Sequence, residues 1–120
     1  MDEIQKVMEN IIFNELKLRG FNVDVGVVEY NYNDSEGKSR RSKLEVDFIA
    51  NLGSKKFYIQ SALNIDDEQK KEQETASLNR IDDSFSKIVV VKDNIEPWQD
   101  DKGIQYIGIE QFLLEEDWLR

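Results

Sequence analysis

Glu9, Asp47 and Gln60 are the side chains whose types and spacing could act together. The first is an acid near the start of the chain, the second lies inside Glu45-Val46-Asp47-Phe48-Ile49, and the amide follows thirteen residues later in Tyr58-Ile59-Gln60-Ser61-Ala62. If those two segments are neighbouring strands of a hairpin, Gln60 and Ala62, two residues apart, point together across it. The chain has neither Cys nor His, which excludes thiolate chemistry, zinc ribbons, His-ligated metals and Ser-His or Cys-His couples. Any catalysis must use carboxylates, lysines, hydroxyls or a hard, oxygen-bound ion.

A helix and a meander are needed to hold these positions. Residues 2–19 read as a helix stopped by Gly20, where a left-handed cap is cheap. Ile4, Val7, Met8, Ile11, Ile12, Leu16 and Leu18 fall on one broad side, extended by Phe13, and Lys6, Asn10, Asn14 and Lys17 make a narrow polar stripe. A helix this apolar is expected to be covered on more than one side. Glu15 projects into the apolar arc and Glu9 lies about 120° from it, so the two cannot share a site; Glu15 is expected to accept hydrogen bonds beneath a sheet.

Residues 21–32, rich in Val and Tyr, suit a long strand running into a polar, charged and flexible stretch at 33–42. Residues 43–51 alternate, with Leu44, Val46, Phe48 and Ala50 on one face and Lys43, Glu45, Asp47 and Ile49 on the other. A hairpin at 52–55 leads to a third strand at 56–63. Asp66 and Gln69 are spaced like a capping box for a second helix reaching about Ile81. Ile88-Val89-Val90-Val91 is an apolar run fit for a strand buried on both faces. A short strand at 103–109 and a helix at 110–119 complete the order αβββαββα. The crossover helix makes its flanking strands parallel, so the expected class is α/β, a mixed sheet with a helix on each face.

A chain of 120 residues makes one domain. Its net charge of −9 is uneven: residues 17–56 carry eight basic and six acidic side chains, whereas residues 57–120 carry seven and fifteen. The basic excess peaks at Lys38, Arg40, Arg41 and Lys43, which could touch a nucleic-acid backbone or an acidic partner, or simply solvate a hairpin tip. The broad positive face of a free duplex binder is missing. There is no apolar run of membrane-spanning length and no signal-peptide pattern, so a cytoplasmic location is the default expectation. Trp98 and Trp118 read either as core or as anchors for a neighbouring domain or subunit.

The order and spacing of Glu9, Asp47, Gln60 and Ala62 resemble the core of the PD-(D/E)XK, or restriction-endonuclease-like, superfamily: a helix Glu, a strand Asp, then an acid and a Lys two residues apart. In archaeal Holliday-junction resolvases the helix Glu stands as far before a Gly-Phe pair as Glu9 does before Gly20-Phe21. A wider similarity runs through Glu9-Asn10, Asn14-Glu15-Leu16, Gly20-Phe21, Glu45-Val46-Asp47-Phe48, Tyr58-Ile59-Gln60, Lys87-Ile88-Val89 and Gly103-Ile104, ending in Phe112-Leu113. It resembles the C-terminal domain of prokaryotic AAA-type ATPases. The chain has no P-loop signature, so residues 1–120 are expected to be a single nuclease-like C-terminal domain excised from a longer ATPase chain, with the ATPase module as its partner.

The resemblance implies Mg²⁺-dependent phosphodiester hydrolysis by a metal-activated water, with the Lys stabilising developing charge. Carried over position by position, Glu9 and Asp47 match the first two acids, Gln60 takes the third acid's place as a possible metal ligand through its amide oxygen, and Ala62 takes the lysine's. Losing one charge-stabilising partner costs on the order of 3 kcal/mol, a hundredfold or more in rate. The expectation is therefore a noncatalytic or degenerate nuclease-like accessory or recognition domain. The alternative is an active Mg²⁺-dependent DNA or RNA nuclease in which Lys43, Lys70, Lys71 or Lys87 supplies the amine; a third is an interaction domain with a vestigial pocket.

Overall fold

A computed structural model describes residues 3–116 and 118. The elements are α1 (Glu3–Leu18), β1 (Asn22–Asn33), β2 (Ser39–Leu52), β3 (Lys55–Ala62), α2 (Glu68–Asn79), β4 (Ser86–Val91), β5 (Trp98–Gln99), β6 (Ile104–Gly108) and α3 (Ile109–Leu114). One six-stranded sheet has the order β1-β2-β3-β4-β6-β5. The β1–β2 and β2–β3 pairs are antiparallel, β3–β4 and β4–β6 parallel, and β5–β6 antiparallel. The class is α/β with a mixed sheet, as the crossover helix requires.

Two apolar clusters lie on opposite faces of the central strands. Ile12 and Leu16 of α1 and Phe112 of α3 pack with Phe48, Ala50, Phe57, Ile59, Ile88 and Val90 on one face. Leu78 of α2 packs with Val46, Tyr58, Ala62, Val89, Val91 and Tyr106 on the other. The alternating membership of Ile88 to Val91 is what a strand covered on both sides demands.

The sheet departs from the sequence expectation in instructive ways. The stretch at 33–42 is an ordered turn between paired strands: the Asp34 carboxylate accepts from the amides of Glu36 and Lys38 and from Arg40 Nε at 2.8 Å. The alternation of β2 breaks, because the β1–β2 register shifts between Asp24 and Gly26, whose partners are Ile49 and Val46. An extra residue in β2, a bulge, sends Val46 to the α2 face although Phe48 and Ala50 face α1. Asp67 caps α2, accepting from the Lys70 amide at 2.7 Å; Asp66 does not. The helix stops at Asn79, two residues early. A two-residue strand, β5, is added, and α3 ends at Leu114; Leu119 lies outside the described residues. Trp118 is core, stacked on Phe112 at 4.6 Å, whereas half-exposed Trp98 stacks on Tyr106 at 4.1 Å.

Arg19 explains how α1 holds the chain's far end. Its Nε bonds Glu15 Oε2 at 2.7 Å and its Nη2 reaches the carbonyls of Phe112, Leu113 and Glu115. Glu15 is thus a structural acid, as expected, met by a donor just past the end of its own helix.

Candidate functional site

The bulge is what places Asp47. The β2–β3 ladder ends at Phe48–Ile59; beyond it, side chains take over the work of backbone bonds. Asp47 Oδ2 accepts from the Ser61 amide at 2.8 Å, and Gln60 Oε1 accepts from the Asp47 amide at 2.9 Å. Gln5, one turn before Glu9, donates from Nε2 to the Ser61 carbonyl and hydroxyl. A chain of polar contacts therefore ties α1 to the point where β2 and β3 separate.

Glu9 and Asp47 line one open cleft of about 330 Å³, with Asn10, Phe13, Val25, Glu45 and Phe48. Burial raises the Glu9 carboxyl above its usual range and the Asp47 charge raises it further, partly offset by hydrogen bonding with Gln5. Burial also raises Asp47; hydrogen bonds from Ser61 oppose this and the Glu45 charge adds to it. Glu74 of α2 is raised by burial and then by Asp47. Like charges crowding a partly dry site favour the protonated forms. Glu74, Gln5 and Ser61 escape sequence reasoning. Gln5 had a faint signal in its i−4 spacing from Glu9, but Glu74 sits in a helix too polar to show which face it turns inward.

The other positions lie as follows. Ala62 is fully buried in the α2-side cluster. Lys71 Nζ lies over the Trp98 and Tyr106 rings, 5.3 and 5.9 Å from their centroids. Lys87 Nζ bonds the Asp83 carbonyl at 2.8 Å and the Phe85 carbonyl at 3.1 Å. Lys43 pairs across the ladder with Glu29. Lys38, Arg40, Arg41 and Lys43 are all exposed on the β1–β2 hairpin, but Arg40 is committed to Asp34. Arg41 and Lys43 alternate with Arg40, on the opposite face of the ribbon.

For Mg²⁺ the donor set is poor. The Gln60 oxygen already accepts a backbone hydrogen bond, as does one Asp47 oxygen. Among the described residues no three acidic side chains are grouped to hold a metal ion. The residues do not fit a divalent ion as arranged.

The chain is 34% identical over 108 residues to an uncharacterised protein of Haemophilus influenzae, a match that takes in 90% of this chain and 23% of that protein. The chain thus spans about a quarter of the length of the curated relative it matches. No family model matches, and no solved structure matches. Among the described residues no helix is long and apolar enough to cross a membrane.

Proposed function

We propose that this domain is a noncatalytic, nuclease-derived accessory or recognition module, of restriction-endonuclease-like ancestry, that works beside an ATPase module in a longer protein. The observation that carries the reading is the cleft itself: Glu9 and Asp47 both line it, and the charges acting on them are negative, that of Asp47 on Glu9 and that of Glu45 on Asp47. A hydrolytic site of that ancestry needs a cation where phosphate charge develops. Here Ala62 is packed into the core, Gln60 repairs the ladder, and Lys71 and Lys87 are held by other partners. The relative's greater length agrees with an accessory role within a larger chain.

The test is cleavage of single-stranded, duplex and junction DNA and of RNA, with Mg²⁺ or Mn²⁺, for the parent and for Asp47→Ala. The expected result is no cutting above the Asp47→Ala background. Metal-dependent cutting abolished by that substitution would instead establish the nuclease with a relocated lysine. Binding of the same substrates without cutting, weakened by Arg41→Ala, would identify the recognised partner as nucleic acid.

A further inference from the structure

The sequence calls for a first helix covered on more than one side, yet the sheet covers only one stripe of it: Met8, Ile12 and Leu16 are the buried residues of α1. Val7 is 53% exposed, Leu18 84% and Ile11 37%. These residues are not scattered. Ile4, Ile11 and Leu18 recur every seven positions, with Val7 and Asn14 between them. That is the a/d spacing of a helix that packs along a second helix. A stripe with this period suits a helical partner.

Charge selects which helix. On one flank of the stripe, Glu3, Asn10 and Lys17 occupy successive g-type positions, acid at the amino end, amide in the middle and base at the carboxyl end. This series is complementary to its own reverse. We propose that the outer face of α1 pairs antiparallel with α1 of a second copy of the chain. With the two-fold axis beside Asn10, Val7 meets the second copy's Ile11, Asn10 meets the second copy's Asn10, and Glu3 meets the second copy's Lys17, each contact occurring twice. Opposed helix dipoles act in the same sense. A parallel pair would set these g positions against the e positions Met8 and Glu15, which are already buried or bonded to Arg19 within the single chain. The interface is isologous, so it closes at two copies; Asn10 at its axis also lines the cleft of Glu9 and Asp47, so the interface borders that cleft. Its occupant is identified independently of the domain's function.

Sedimentation velocity across a concentration series reads the assembly, with circular dichroism confirming that each variant is folded. The parent is expected to dimerise. Ile11→Asp is expected to be monomeric, and its side chain already borders solvent in the single chain. Glu3→Lys and Lys17→Glu are each expected to weaken the dimer about fivefold, and the double reversal to restore it to within about twofold, because only the pairing of the flanking charges has changed sign. A parent that stays monomeric throughout would overturn the proposal and assign the stripe to a helix of another protein segment. So would a dimer indifferent to Ile11→Asp, or a double reversal no tighter than the single ones. Should Ile11→Asp fail to fold, the charge series still decides.

Discussion

Ala62 occupies the position where the resemblance places an amine, and its surroundings decide whether one fits there. Its methyl group is fully buried among Val46, Tyr58, Leu78, Val89 and Val91. A lysine there must push a four-carbon stem into a filled core, and overpacking costs about 1–3 kcal/mol. Some of that is returned if the amine reaches the carboxylates of Glu9 and Asp47, whose hydrogen-bond partners Gln5 and Ser61 carry no charge. Burial of the stem outweighs a screened ion pair at a partly open cleft, which is worth about 0.2–1 kcal/mol. Ala62→Lys should therefore lower stability by about 1–3 kcal/mol in urea unfolding at neutral pH and should confer no cleavage. A variant as stable as the parent would show that space for the amine had been kept open, which would weaken the case for a site closed by packing. Gln60 follows the same logic. Its amide oxygen meets a backbone donor that the interrupted ladder would otherwise leave unpaired, so the residue has a structural reason to be Gln.

At the scale of elements, the bulge in β2 links fold to site. Gly26 lies opposite it, where an added Cβ would come within 2.6 Å of Ile49 Cδ1 and 3.3 Å of Val46 Cβ. The strand opposite can kink inward there only because Gly26 has no side chain. Gly26→Ala should displace Ile49 and strain the bulge, costing about 1–3 kcal/mol. Hydrogen exchange at the Ser61 amide, which Asp47 holds, should quicken by more than global destabilisation explains. Equal losses of protection at Ser61 and at Ile88 would mean that the bulge does not govern the site. The bulge also marks the limit of what the residues alone disclose. The helix of residues 3–18, the meander, the crossover and the doubly covered β4 are written in periodicity, because burial on one or two faces fixes it. A bulge leaves period-2 residues on both sides and shifts only their phase, so Val46 looks like a neighbour of Phe48 until β1 is paired with it. The same limit applies to the capping of α2, where Asp66 and Asp67 are both acids and only the backbone angle selects Asp67. Chemistry survives this error better than packing does: the polar path from Glu9 to Asp47 crosses from α1 to β2, and both ends were legible as acids.

Across the whole molecule two sets of carboxylates pull stability in opposite directions with pH. Glu9, Asp47 and Glu74 have folded pKa values raised, burial being the first cause in each. Their contribution is greatest below the ordinary carboxylate range and is lost as pH rises through the folded values. Asp83 and Asp100 are the reverse. Burial pushes the Asp100 carboxyl up, but the Tyr106 hydroxyl at 2.7 Å, the amides of Ile104 and Lys102 and the Lys71 charge outweigh it. Asp83 is held low in the same way, burial being overcome by Tyr58, the Phe85 amide and Lys87; the Tyr58 hydroxyl is itself pushed up to about 12, by burial first and then by Asp83. The stability these two supply is complete above the ordinary carboxylate range and lost as pH falls through their folded values. Tyr106→Phe isolates the Asp100 member of this second set while keeping the ring stacked on Trp98. It should cost about 1.5 kcal/mol at neutral pH, as expected for a hydrogen bond to a charged acceptor. Because that bond strengthens only the ionised Asp100, the difference from the parent should narrow as pH is lowered through the Asp100 titration. Paired urea unfolding curves from neutral to acid pH read both quantities. A gap that stays constant with pH would assign the loss to packing of the ring and not to the carboxylate it faces.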